Sequence, residues 1–292
     1  MYNGLFLASQ GSNLLSVLGA LESIKEKLSH IKYWNTCGNS ALILFFKLLG
    51  YTFEQTLNHL SELKILVNTI NASSLMPEDE EKRKEYVREW LTNKIEENKL
   101  FNSDVTLEET YQQTNILPSF ILWSRNKEKI MNINAEHNPT IKLIDVVLAS
   151  LTALGFYSTY KIKNTVFSNI FSIDCYPYLY TILNEDTSYL YVANISTIND
   201  KIQFNLGPMQ DRENELIRQF YEHNNFRIHN ISKTIKSSKI MKIYTILQRG
   251  ELSPEASQSL FRIGQKQGIA YLEDRDTKLE ADHYLEIINA QS

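Results

Sequence analysis

Ser40 to Leu49, SALILFFKLL, is apolar on every side apart from Lys47. A helix with that pattern has no face to offer water and must be buried within a larger body. It stops at Gly50, a residue suited to the left-handed position after a helix end. Just before it, Ile31 to Cys37 is rich in aromatic and β-branched residues and reads as a strand. A strand, a tight turn and a fully buried helix within some twenty residues constrain this chain more than anything else in it. They call for a sheet with helices packed directly on it.

The rest of the chain supports that layout. Gly4 to Ser9, GLFLAS, reads as a buried strand, and Leu14 to Leu28 carries apolar residues at helical spacing. Thr52 and Gln55 form a capping box for a further helix, and Thr106 and Glu109 another. Glu78 to Lys99 predicts an amphipathic helix with Val87, Leu91 and Ile95 along one face, Tyr86 and Trp90 broadening it, and Pro77 at its start. Its charges read as a solvated face. Phe120 to Ser124 and Lys129 to Ile133 flank a polar SRNKE turn and predict a hairpin. Ile141 to Ser150 predicts a helix. Tyr160 to Ile162 and Ile170 to Ile173 predict a second hairpin leading into Asp174. Tyr189 to Ile195 and Ile240 to Ile246 predict strands. Asp211 to Tyr221 and Pro254 to Leu272 predict helices, the last with Ser253 as N-cap and Pro254 at N1. No repeat or linker-like segment is present. Strands alternating with helices imply one three-layer α/β/α domain over 1–292, with a mostly parallel central sheet.

Composition narrows the function classes. The 292 residues are 43% apolar and 22% charged, with only 6 prolines, which excludes disorder and low-complexity arrays. The net charge of −4 disfavours non-specific nucleic-acid binding. Two cysteines, Cys37 and Cys175, cannot build a disulfide framework. The start, MYNGLFLASQ, lacks a basic n-region, and no apolar run approaches the length of a membrane span. These features predict a reduced, soluble, cytoplasmic protein, peripheral at membranes at most, in which the sequons at Asn71, Asn194 and Asn230 go unused.

Gly38-Asn39-Ser40-Ala41 lies between the predicted strand and the buried helix, where a nucleophile elbow belongs. A sharp turn there would expose the serine oxygen, and the helix N-terminus would favour an oxyanion. A serine serving only as helix N-cap is the structural alternative.

Beyond this corner, the chain resembles the patatin-like phospholipase family. CGNSALILFFKLLGYT is similar to the family's GTSAGALIAALLALGYS. Residues 1–28 resemble its opening strand, oxyanion loop and helix, with Gly19 at the glycine of its GVL. TLEETY from Thr106 resembles TFEELY, and Leu143 to Ile162 resembles DAVRASSAIPGFFPPV. IDC, ending at Cys175, falls at the family's VDGG. EDTSYLYV resembles ETLGIYL, and LSPEASQSLFRIGQKQGIAYL resembles the C-terminal helix. The likeness runs in order from about residue 4 to 274.

The resemblance implies a Ser–Asp dyad: Ser40 as nucleophile and Asp174 as its base, hydrolysing acyl esters of lipids at a membrane or micelle surface. It implies Gly38 and Asn39 as elbow residues and Gly11, Ser12 and Ala41 as oxyanion donors. It calls for no metal, no other cofactor and no catalytic histidine, and the six histidines show no metal-ligand spacing. Several family features are missing. The glycine-rich oxyanion loop is Ser9-Gln10-Gly11-Ser12-Asn13-Leu14, with one pattern glycine left. Leu42 stands for the elbow's second glycine, and Cys175-Tyr176 follow the aspartate. Losing one oxyanion donor typically costs roughly 10²–10³ in rate. Two readings therefore stand: a diverged lipid acyl hydrolase, or a catalytically inactive patatin-like domain used as a binding or structural module.

Weaker signals complete the sequence. Cys37 and Cys175 would be neighbours if the dyad assembles, as a redox switch or, more simply, as two small buried residues. Lys233 to Lys242, KTIKSSKIMK, is a basic stretch suited to anionic headgroups or to a polar loop. Tyr176, Tyr178 and Tyr180 would line an acyl pocket or pack along a strand. A nucleotide-binding α/β protein would need an intact glycine motif, and none is present.

Overall fold

In the computed structural model, residues 2–9, 13–62, 80–152, 157–168, 189–197, 240–246, 253–280 and 282 are described. Their strands are β1 (Gly4–Ser9), β2 (Tyr33–Gly38), β3 (Leu117–Ser124), β4 (Lys129–Asn134), β5 (Tyr160–Ile162), β6 (Thr165–Ser168), β7 (Tyr189–Thr197) and β8 (Ile240–Ile246). The helices are α1 (Asn13–Ser23), α2 (Lys25–Leu28), α3 (Ser40–Leu48), α4 (Phe53–Glu62), α5 (Glu80–Asn98), α6 (Leu107–Thr114), α7 (Leu143–Ser150) and α8 (Pro254–Leu272).

All eight strands join one sheet in the order β5-β6-β3-β2-β1-β7-β8, with β4 beside β3. The centre, β3-β2-β1-β7-β8, is parallel throughout. The flank is antiparallel, formed by the hairpin β3-β4 and the strands β5 and β6. The sheet is thus mixed, with a parallel core. Every residue of β1 is buried, so both of its faces are covered, as expected of a central parallel strand. Helices flank the sheet in an α/β/α arrangement.

Local chemistry sets most element ends. At Thr52, the backbone N–H donates to the Gln55 side chain while the Gln55 N–H donates to the Thr52 hydroxyl. Thr106 and Glu109 make the same reciprocal pair. Ser253 accepts from the Ala256 N–H at 3.1 Å, behind Pro254. Gly50 has φ +81°, closing α3. Lys47, the one charge in α3, lies half-buried with its ammonium 6.0 Å from the Trp34 and Phe53 rings, and burial lowers its pKa.

Several element ends differ from the sequence pattern; β3, expected from Phe120, starts at Leu117. The helix expected over 14–28 breaks at Ile24, dividing α1 from α2. The helix expected from Ile141 starts at Leu143, because this stretch is first held extended: Leu107 N–H donates to Ile141 O and Leu143 N–H to Val105 O. The partner of β5 is Thr165–Ser168, turned by Lys163 at φ +53°, and not 170–173, which lie outside the described residues. The helix expected over 211–221 also lies outside them.

One helix seam is closed backbone to backbone. A Cβ on Gly19 of α1 would stand 1.9 Å from Phe261 O, and one on Gly264 of α8 would stand 1.9 Å from Ser16 O. Only hydrogen at these positions lets α1 and α8 approach so closely. α4 then touches α1, α3 and α8, and α3 touches α7, linking these helices into a continuous packing.

α5 is held by polar contacts and by Trp90 packed edge-on against Phe46. Arg88 bonds Asp145 at 3.1 Å and the Tyr160 hydroxyl, which itself donates to Asp145 at 2.7 Å. Burial, and then the Asp145 hydrogen bond, push the Tyr160 phenol above its usual range. Lys94, only 7% exposed, bridges Glu62 of α4 and Glu97. Beside them His59 stacks on Phe46, with Tyr51 edge-on to both.

Gly264→Ala should lose about 2–3 kcal/mol in chemical denaturation, because the clash is with backbone and a flexible side chain cannot relieve it. Burial, then the charge of Lys94, lowers the His59 pKa, against weaker opposing pulls from Glu62 and Glu97. The folded state therefore resists protonating this imidazole. Its contribution is intact above the ordinary value of about 6.5 and is lost as pH falls through that value toward the folded pKa. Thermal melts at pH 7.5 and 5.5 should show a larger drop for wild type than for His59→Gln.

Candidate functional site

The strand–helix corner is assembled by three neighbours. β1 and β2 run side by side with Ser9 opposite Gly38, and the Asn39 N–H donates to Ser9 O at 3.0 Å. Gly38 ends β2 with φ +63°, the left-handed region. Asn39 follows in right-handed helical geometry as the N-cap of α3, without a side-chain cap bond. Ser40 is the first residue of α3 itself.

Ser40 is completely buried, and its hydroxyl faces two backbone carbonyls: Cys37 O at 2.7 Å and Leu7 O at 2.9 Å. A hydroxyl has one proton, so the two carbonyls share it. Neither can accept that proton as a base. The hydroxyl ties the first turn of α3 to the end of β2 and across to β1. Nor does it cap the helix, since it donates to carbonyls while a cap accepts from N–H groups.

Asp174, Gly11 and Ser12 lie outside the described residues, as do Cys175 and the tyrosines at 176, 178 and 180. Of the basic stretch at 233–242, only 240–242 are described, as the first residues of β8. Ala41 sits buried in the first turn of α3, and Leu42 N–H donates to Asn39 O at 3.0 Å. Cys37 is a buried cysteine directly before the corner. Among the described residues no group of three His, Cys, Asp or Glu could hold a metal ion. None of the described helices is long and apolar enough to cross a membrane.

Sequence patterns did not single out the Arg88, Asp145 and Tyr160 cluster, whose members are far apart in the chain and carry no motif. It joins α5, α7 and β5 and shares no residue with the corner. An open hollow of about 370 Å³ between α4 and α8, lined by Glu54, Leu57, Phe261 and Arg262 among others, shares none of the corner residues.

Comparison with solved structures places this architecture. VipD from Legionella pneumophila superposes with a TM-score of 0.56 at 10% identity, over 94% of this chain and 67% of VipD. The fold is patatin-like. ExoU from Pseudomonas aeruginosa, solved as a heterodimer with SpcU, matches at a TM-score of 0.48 and 11% identity. That match covers 94% of this chain but only 52% of ExoU, so the chain spans about half of ExoU's length. No family model and no curated protein matches the sequence.

Ser40→Ala should lower stability by about 1–2 kcal/mol in urea unfolding, because it strips a donor from a buried corner without opening a large cavity. Tyr160→Phe should cost about 1 kcal/mol, and Asp145→Asn combined with it should be less than additive, since the two share one network.

Proposed function

We propose that this chain is a patatin-like domain that engages acyl lipids or a lipid surface without hydrolysing them. The patatin-like fold supplies the lipid class. The commitment of the Ser40 hydroxyl to two backbone carbonyls carries the rest. Activating a serine takes a base within hydrogen-bonding reach of an oxygen that a substrate carbonyl can approach. Among the described residues this hydroxyl reaches only the carbonyls of β1 and β2, and its complete burial leaves no approach for a substrate carbonyl. Exposing it would break the tie between α3 and the sheet. The shrunken glycine content of the 9–14 stretch supports the same reading, because backbone donors for an oxyanion need a loop that can adopt left-handed conformations.

The competing reading is a diverged acyl hydrolase with Ser40 and Asp174 as its dyad, at the positions that the resemblance implies. A fluorophosphonate probe in phospholipid–detergent micelles separates the two, with Ser40→Ala as control. We expect no Ser40-dependent labelling, together with co-sedimentation of the intact chain with phospholipid vesicles. Labelling that disappears in Ser40→Ala would establish the hydrolase instead. Failure to sediment with any vesicle composition would remove the lipid part of the proposal.

A further inference from the structure

We propose that the nucleophile's position in this corner is occupied by Gly38, and that Ser40 occupies the next small-residue position of the elbow. This deepens the non-hydrolytic reading above and rests on it.

Three observations converge. First, a nucleophile elbow places its reactive residue on the strained residue of the strand-to-helix turn. The left-handed residue of this turn is Gly38, at φ +63°, whereas Ser40 is the first residue of a regular helix. Second, the spacing agrees. In GTSAGALIAALLALGYS the serine precedes the glycine of LGY by twelve residues, and that glycine corresponds to Gly50. In this chain the residue twelve before Gly50 is Gly38, and Ser40 is only ten before it. Matching Ser40 to the family serine requires deleting two residues from within the helix. At 3.6 residues per turn, that deletion turns every earlier helical residue by about 200° relative to the later ones. α3 runs without interruption from Ser40 to Leu48, so the ungapped register is the physical one. Third, in that register Ser40 falls on the second glycine of GTSAG. Its surroundings suit a small residue: it is completely buried, with its Oγ 2.9 Å from the carbonyl of Leu7 on the adjoining strand. Leu42 then no longer stands for that glycine and becomes an ordinary core residue of α3.

The corner thus keeps the backbone of an elbow and has lost the side chain that reacts. Glycine holds a left-handed φ without strain, so nothing in the turn opposes this replacement.

The experiment restores the side chain. Wild type, Ser40→Ala and the double variant Gly38→Ser/Ser40→Gly are treated with a fluorophosphonate in phospholipid–detergent micelles, and the modified residue is located by mass spectrometry. In the labelling step the serine oxygen bonds to phosphorus, fluoride leaves and the hydroxyl proton passes to buffer, so HF is released overall. The expected result is labelling of the double variant at residue 38, roughly tenfold or more above the wild-type background. A folded double variant, judged by circular dichroism and a cooperative melt, that stays unlabelled overturns this inference and leaves the non-hydrolytic reading standing. Labelling of wild type on Ser40 overturns both. A measurement on wild type alone covers the case where the double variant does not fold: NMR couplings should report the left-handed φ at residue 38. Finding it at residue 40 overturns the inference.

Discussion

The architecture hangs on how a wholly apolar helix leaves the sheet. α3 has no solvent face, so it must enter the packed layer directly from β2, and the corner between them has room for one left-handed residue and one helical N-cap. Gly38 supplies the first at no steric cost. The Ser40 hydroxyl then fixes the helix to β2 and β1 together. The close seam between α1 and α8 depends on the same economy of side-chain volume: at Gly19 and Gly264 each helix lies against the other's carbonyls. In both places the fold relies on what a residue lacks, and a methyl group there meets backbone or forces a strained φ.

Much of this was legible in the sequence because it depends on local chemistry. The capping boxes at Thr52 and Thr106, the Ser253 cap and the Gly50 stop each need only residues within a few positions of one another, and all four appear as expected. The β3–β4 hairpin follows from alternation around a polar turn. Where distant backbone competes, the pattern misleads. Ile141 and Lys142 look helical but are held extended by the 105–107 segment, which no local reading contains. Lys94 looks like one more solvated charge on α5, yet it is buried between Glu62 and Glu97, and Glu62 belongs to another helix. The pairing of β6 with β3 is hidden for the same reason, since it joins segments some forty residues apart.

The corner was legible in kind, while the register proposed for its residues was not. GNS before an apolar helix marks a strand–helix turn correctly. Which of its residues is strained is a matter of φ, and composition does not record φ. A serine two residues beyond a glycine looks like a nucleophile by residue type. Only the helix, which cannot absorb a two-residue gap without turning its buried face outward, argues otherwise.

Fold and chemistry place different demands on the same few residues. Packing at the corner is satisfied by any small residue that tolerates a left-handed turn, and glycine does so with the least strain. Catalysis demands a hydroxyl held in that strained geometry, which costs about 1–3 kcal/mol, against a domain stability of about 5–15 kcal/mol. In the proposed register, glycine where a serine would be strained relieves the turn and leaves the sheet, α3 and the α1–α8 seam as they are. A patatin-like scaffold can therefore lose its reaction at one position while its remaining packing stays under full constraint. In that register, the asymmetry accounts for a chain that superposes on VipD at 10% identity and has one glycine in its 9–14 stretch.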